Sequence, residues 1–212
     1  MPIAWWGLVG LFIAVLINRT ADCWLSPARL QCGLTRHPWR QGAVLVVVPV
    51  LFMLVARQKP TPMDVAMTCL FAAVLLLVAI IDWEQRRVPN VMLLPALVVA
   101  LVYAALSGDL LPAVLGATLA GAIFLVLYAL GRRLYGAEAL GMGDVKLAGL
   151  IGAIAGLPLM FYALALGILL AGVAAAGLLL TRRARRGDTL PYGAFMALAA
   201  VGLLILNPAL SA

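Results

Sequence analysis

Leu140-Gly141-Met142-Gly143-Asp144-Val145-Lys146-Leu147 sets a carboxylate and a lysine beside two glycines, at the mouth of an otherwise apolar segment. An ionisable group at the edge of a hydrocarbon span is costly, which makes it a functional candidate by default. A second carboxylate, Asp82, ends another apolar run at residues 71–81. The chain reads as a device for bringing Asp144 and Asp82 together at one membrane face.

Composition sets the class. The chain is 66% hydrophobic and 11% charged, with a mean hydropathy of +1.13. Soluble domains average about 25% charged residues. The expected fold is all-α: a polytopic membrane helix bundle in which lipid covers most of the apolar surface. A net charge of +7 would suggest nucleic acid in a soluble chain. Here there is no soluble module to hold one, and basic residues first report topology and contact with anionic lipid.

A spanning helix needs about 20 mostly apolar residues. Eight segments approach this: residues 3–17, 43–56, 63–81, 91–106, 111–130, 143–157, 159–180 and 192–206. The second and sixth are short. With the N-terminus outside, the inner loops hold Arg19, Arg29, Arg36 and Arg40, then Arg86 and Arg87, then Arg132, Arg133 and Lys146, then Arg182, Arg183, Arg185 and Arg186. Only Arg57 and Lys59 fall outside. The positive-inside rule therefore selects N-out, C-out, and it puts both aspartates on the cytoplasmic face.

Residues 1–62 read as an N-terminal two-helix region and 63–212 as a six-helix catalytic bundle. The first apolar run lacks a preceding positive charge, so it is expected to stay as an anchor. The loop at 18–41 carries Trp24, Trp39, Pro27 and Pro38 and reads as an interfacial hairpin. Its Cys23 and Cys32, with His37, do not match the paired spacing of a structural zinc site, so no metal is expected and the thiols read as reduced. Small residues at helical spacing (Gly116 and Ala120; Gly152 and Gly156) predict close helix pairing around the sixth segment.

Two carboxylates in one site share a proton, and such a pair does acid and base work together. The ionised partner takes a proton from water while the protonated one polarises a carbonyl, which hydrolyses a peptide without a metal or a covalent intermediate. Asp144 starts a segment, at the positive end of a helix dipole; Asp82 finishes one, at the negative end. This makes Asp144 the expected base and Asp82 the expected acid. Gly141 and Gly143 lack Cβ atoms and allow positive φ, so the loop can approach a substrate strand. Lys146, two residues from Asp144, is expected to reach toward headgroups.

At these residues the sequence resembles the bacterial type IV prepilin peptidases. Ile80-Ile81-Asp82 followed by Arg87-Val88-Pro89-Asn90 is similar to their first aspartate motif. Gly136 through Leu147 is similar to the second, the GxGD signature. Leu190-Pro191-Tyr192-Gly193-Ala194-Phe195 resembles their late proline-glycine turn. The resemblance spans about residues 63–207 and makes Lys146, Pro89, Asn90, Pro191 and Gly193 supporting residues. It implies an inner-membrane aspartyl protease that cuts the basic leader from prepilins or pseudopilins at the cytoplasmic face. Glu84 and Glu138 are the candidates for leader recognition, beside Gly141 and Gly143. Bifunctional members also methylate the new N-terminus with S-adenosylmethionine and carry two CxxC pairs that bind zinc. The shorter loop at 18–41 lacks those pairs, so the peptidase is the expectation and the methyl donor follows only where that second activity is retained. The rivals are a proton-coupled transporter component and an inactive scaffold of a pilus or secretion machine. Transporters place acids near the midplane and often show repeated halves; here both acids lie at one edge.

Overall fold

The structure is a computed structural model and describes residues 3–25, 38–135, 141–181 and 191–206. These form eight helices: α1 Ile3–Leu25, α2 Pro38–Gln58, α3 Pro62–Gln85, α4 Asn90–Ser107, α5 Leu110–Tyr135, α6 Met142–Ala155, α7 Leu159–Leu180 and α8 Tyr192–Leu206. Six of them, α1 to α5 and α7, are long and apolar enough to cross a membrane; α8 is a shorter apolar helix. The polytopic helical bundle expected from composition is the observed fold.

α3, α6 and α8 form the centre. α3 packs on α8, and α6 touches α4, α5, α7 and α8. Most of α6 is buried, including Leu147, Leu150 and Ile151. The outer helices turn leucine and valine outward: Leu8, Val98, Val126 and Val173 are each 60% exposed or more. In water such a surface would aggregate; in lipid it is solvated. Lipid also removes the usual hydrophobic drive between helices, so close packing must hold them together. The α5–α6 contact shows how. Gly116 and Gly152 face each other so closely that a Cβ on either would collide with the other's carbonyl oxygen, and Ala120 fills the next turn. The small-residue ridges expected there are the seam.

Helix ends are set locally. The Thr61 hydroxyl accepts the amide N–H of Asp64 at 3.1 Å, and Pro62 opens α3 at a position where the N–H that proline lacks would have no intrahelical partner. Arg86 ends α3 in the left-handed region, φ 54°, and its N–H donates to the Asp82 carbonyl at 2.7 Å. A non-glycine residue there carries a strain of about 1 kcal/mol, and the sharp stop holds Asp82 one turn from the end of α3.

Two expectations are corrected. Residues 18–25 and 38–41, read as loop, are helical and extend α1 and α2 beyond their apolar runs. Their polar side chains bond one another: Asn18 Nδ2 donates to the Gln41 carbonyl at 3.3 Å, and Gln41 Nε2 to Asp22 at 2.9 Å. These bonds tie the two extensions together. Cys23, expected as a reduced thiol, is disulfide-bonded.

Candidate active site

Asp82 closes α3 and Asp144 opens α6; both are buried, at 4% and 8% exposure. The first turn of α8 fits between them. A Cβ on Gly193 would lie 2.9 Å from Asp144 Oδ1 and 3.0 Å from Asp82 Oδ2. The two oxygens are therefore no more than about 6 Å apart, because each lies about 3 Å from one point. Any side chain here would separate them, which is the physical reason for a glycine.

Each carboxylate is held by backbone amides. Asp82 Oδ2 accepts the N–H of Ala194 at 2.8 Å, a buried bond across 112 residues of sequence. Asp144 Oδ2 accepts the N–H of Gly141 at 3.2 Å, while its own N–H donates to the Gly141 carbonyl at 3.1 Å. Asp144 thus uses one oxygen to cap α6 and turns the other toward Asp82. It stands at the third helical position, not at the cap itself.

This arrangement removes the asymmetry on which the acid and base roles rested. The negative end of α3 carries Asp82, but the amide end of α8 points at the same carboxylate. Each aspartate now faces one helix N-terminus, so dipoles do not separate them, and the two act as a coupled pair.

The glycines of the motif work differently from the expectation. Gly141 has ordinary extended backbone, φ −82° and ψ 145°, and neither it nor Gly143 has positive φ. The missing Cβ of Gly143 makes room for Val88, whose own Cβ would be 2.7 Å away. It lets α6 press against the segment between α3 and α4, so packing by itself gives this glycine a reason. Lys146 donates to Asn90 Oδ1 at 3.1 Å instead of only reaching outward. This bond joins the two aspartate motifs, and Pro89, buried, caps the start of α4 beside it.

Glu84 is not a free acid for a basic leader. It accepts two bonds from Arg40, at 3.1 and 3.2 Å, with its side chain only 15% exposed. Glu138 lies outside the described residues. Pro191 precedes α8, whose first turn carries Gly193. Trp83 and Phe195 pack edge-on beside the pair, ring centroids 5.8 Å apart. Sequence reasoning missed Arg40, Asp22, Val88 and the Ala194 amide. Arg40, which the structure buries to 4% exposure, carries no signal in the sequence that separates it from its loop neighbours.

The chain has three cysteines, too few for two CxxC pairs, and Cys23 is already bonded.

Comparison with known proteins agrees with the geometry. The chain is 32% identical over 127 residues to a prepilin leader peptidase/N-methyltransferase of Pseudomonas putida, covering 59% of this chain and 44% of the relative. It is 28% identical over 162 residues to the protein of that description in Aeromonas salmonicida (strain A449), covering 76% and 56%. The chain spans about half the length of these curated relatives. No solved structure matches it. Residues 69–176, which contain both aspartates, match the type IV leader peptidase family, and the chain belongs to that family.

Proposed function

We propose that this chain is a membrane-embedded aspartic endopeptidase that removes the leader from type IV prepilins or pseudopilins. The observation that carries the reading is the meeting of Asp82 and Asp144 around Gly193. Two buried carboxylates this close share one proton. A water between them loses a proton to the ionised carboxylate as its oxygen attacks the scissile carbonyl carbon. The protonated partner gives its proton to the carbonyl oxygen. Collapse of the gem-diol breaks the C–N bond, and the leaving amine takes a proton back from the pair. The backbone amides of Ala194 and Gly141 keep both side chains in place throughout.

The positive-inside charge pattern supports N-out, C-out and a dyad at the cytoplasmic face of the inner membrane. The exposed arginines Arg86, Arg87, Arg132 and Arg133 suit anionic headgroups there, and Glu138 is left as the acidic contact for a basic leader. The reading is tested by co-expression with a tagged prepilin. Wild type shortens the precursor on a gel. Asp82→Asn and Asp144→Asn each abolish shortening while keeping helical circular dichroism, and processing by either would sink the proposal. Mass spectrometry of the product's N-terminus decides methylation: a free amine means the peptidase acts alone, and a methylated one that the second activity is retained without two CxxC pairs at 18–41.

A further inference from the structure

Arg40 lies outside the segment that matches the family. It is nonetheless a buried guanidinium, 5% exposed at its side chain, between three helices. Nη2 holds Asp22 of α1, and Nη1 holds both oxygens of Glu84 on α3 at 3.1 and 3.2 Å. Gln41 adds a second bond to Asp22 at 2.9 Å. Nε of Arg40 is buried with no hydrogen-bond partner among the described residues. The two carboxylates are thus what fix this cation. Glu84 stands two residues past Asp82, in the last turn before α3 stops at Arg86.

A cation taken out of water is costly unless it is paired. A planar fork serves carboxylates on two helices with five donors in fixed geometry, whereas an ammonium brings three donors on a flexible stem and holds such a pair less rigidly. We infer that Arg40 is a positioning residue for the peptidase: it ties α1 and α2 to the end of α3 and so sets where Asp82 stands against α8. The kinetic part of this inference rests on the proposed peptidase reading; the geometric part does not.

Two readouts test it on the full chain in membranes. The first needs no activity. Trp83→Cys with Phe195→Cys reports the α3–α8 approach beside the dyad, and Phe71→Cys with Tyr103→Cys reports the far part of α3 against α4, where the rings lie 6.4 Å apart. Oxidative linking is read by mass spectrometry of the joined peptides. Arg40→Gln should cut the 83–195 yield at least about fivefold and leave the 71–103 yield unchanged, as expected for a local effect. Unchanged yields at both pairs overturn the inference, and so does equal loss at both, which would mark a general folding role. The second readout is steady-state cleavage by protein purified as a single folded species. Arg40→Gln should lower kcat about tenfold with KM steady, Arg40→Lys should recover part, and Arg40→Gln with Glu84→Gln should be no worse than the poorer single variant. An unchanged kcat overturns the inference. Should wild type cleave no prepilin, the peptidase reading fails alone and the linking yields still decide Arg40.

Discussion

Replacing Gly193 by alanine tests the site with a single methyl group. The added Cβ would fall 2.9 Å from Asp144 Oδ1, closer than real Cβ atoms come, and 3.0 Å from Asp82 Oδ2, tighter than nearly all Cβ contacts. Relief requires a few tenths of an ångström or more, and it has two routes. Either the carboxylates swing away, or the first turn of α8 retreats and lengthens the 2.8 Å bond from the Ala194 amide. Overpacking of this kind costs about 1–3 kcal/mol of stability. Misplacing reacting groups by about 1 Å costs about 10²-fold in rate, equivalent to about 2.7 kcal/mol of barrier. The expected result is therefore a folded protein that processes prepilin about 10²-fold more slowly. Gel densitometry over a time course reads the rate, and thermal unfolding in detergent reads the stability. Gly193→Ala cleaving at the wild-type rate would refute the reasoning, because the carboxylates could not then be acting from the positions described.

Other outcomes follow from the same geometry. Gly152→Val should break the α5–α6 seam, since a Cβ there already collides with Gly116; stability should fall by about 3 kcal/mol or more, read as a lower melting temperature in detergent. Lys146→Met removes an exposed bond to Asn90, so processing should stay within about twofold and stability within about 1 kcal/mol. Charge reversal at Glu138 should weaken cleavage of a leader with several basic residues more than one with few; equal rates would remove Glu138 from recognition. Single cysteines placed in the Arg57–Lys59 and Gly108–Asp109 segments should react with an impermeant maleimide added outside intact cells, as the charge pattern requires; labelling only after lysis would invert the topology.

Much of this arrangement was legible before any coordinates. The apolar runs gave all eight helices, and 159–180 and 192–206 match α7 and α8 to the residue. Charges in distant loops put Asp82 and Asp144 together, and the structure sets both at one end of the bundle around Gly193. Asp22, Arg40 and Glu84 meet at that end of α3, and Tyr103 bonds Asp64 at 2.7 Å at its other end. What escaped was every contact that depends on two helices at once. An arginine before an apolar run looks the same whether it faces headgroups or two buried acids, so Arg40 was read only as topology. The dipole argument for Asp82 used the helix that carries it and missed α8, because no local pattern says which amide will point at a side chain 112 residues away. Gly143 likewise looked like room for a ligand until Val88 was found in the space.

The pair at Gly193 draws its carboxylates from α3 and α6 but its tightest amide from Ala194, in the last helix of the described chain. During synthesis the two acids enter the bilayer well before that amide exists. Until the ribosome has released enough chain for α8 to insert, Asp82 lacks its holder and the gap beside Asp144 stays unfilled. On the proposed reading, the chain therefore becomes competent to cleave only when α8 has joined α3 and α6.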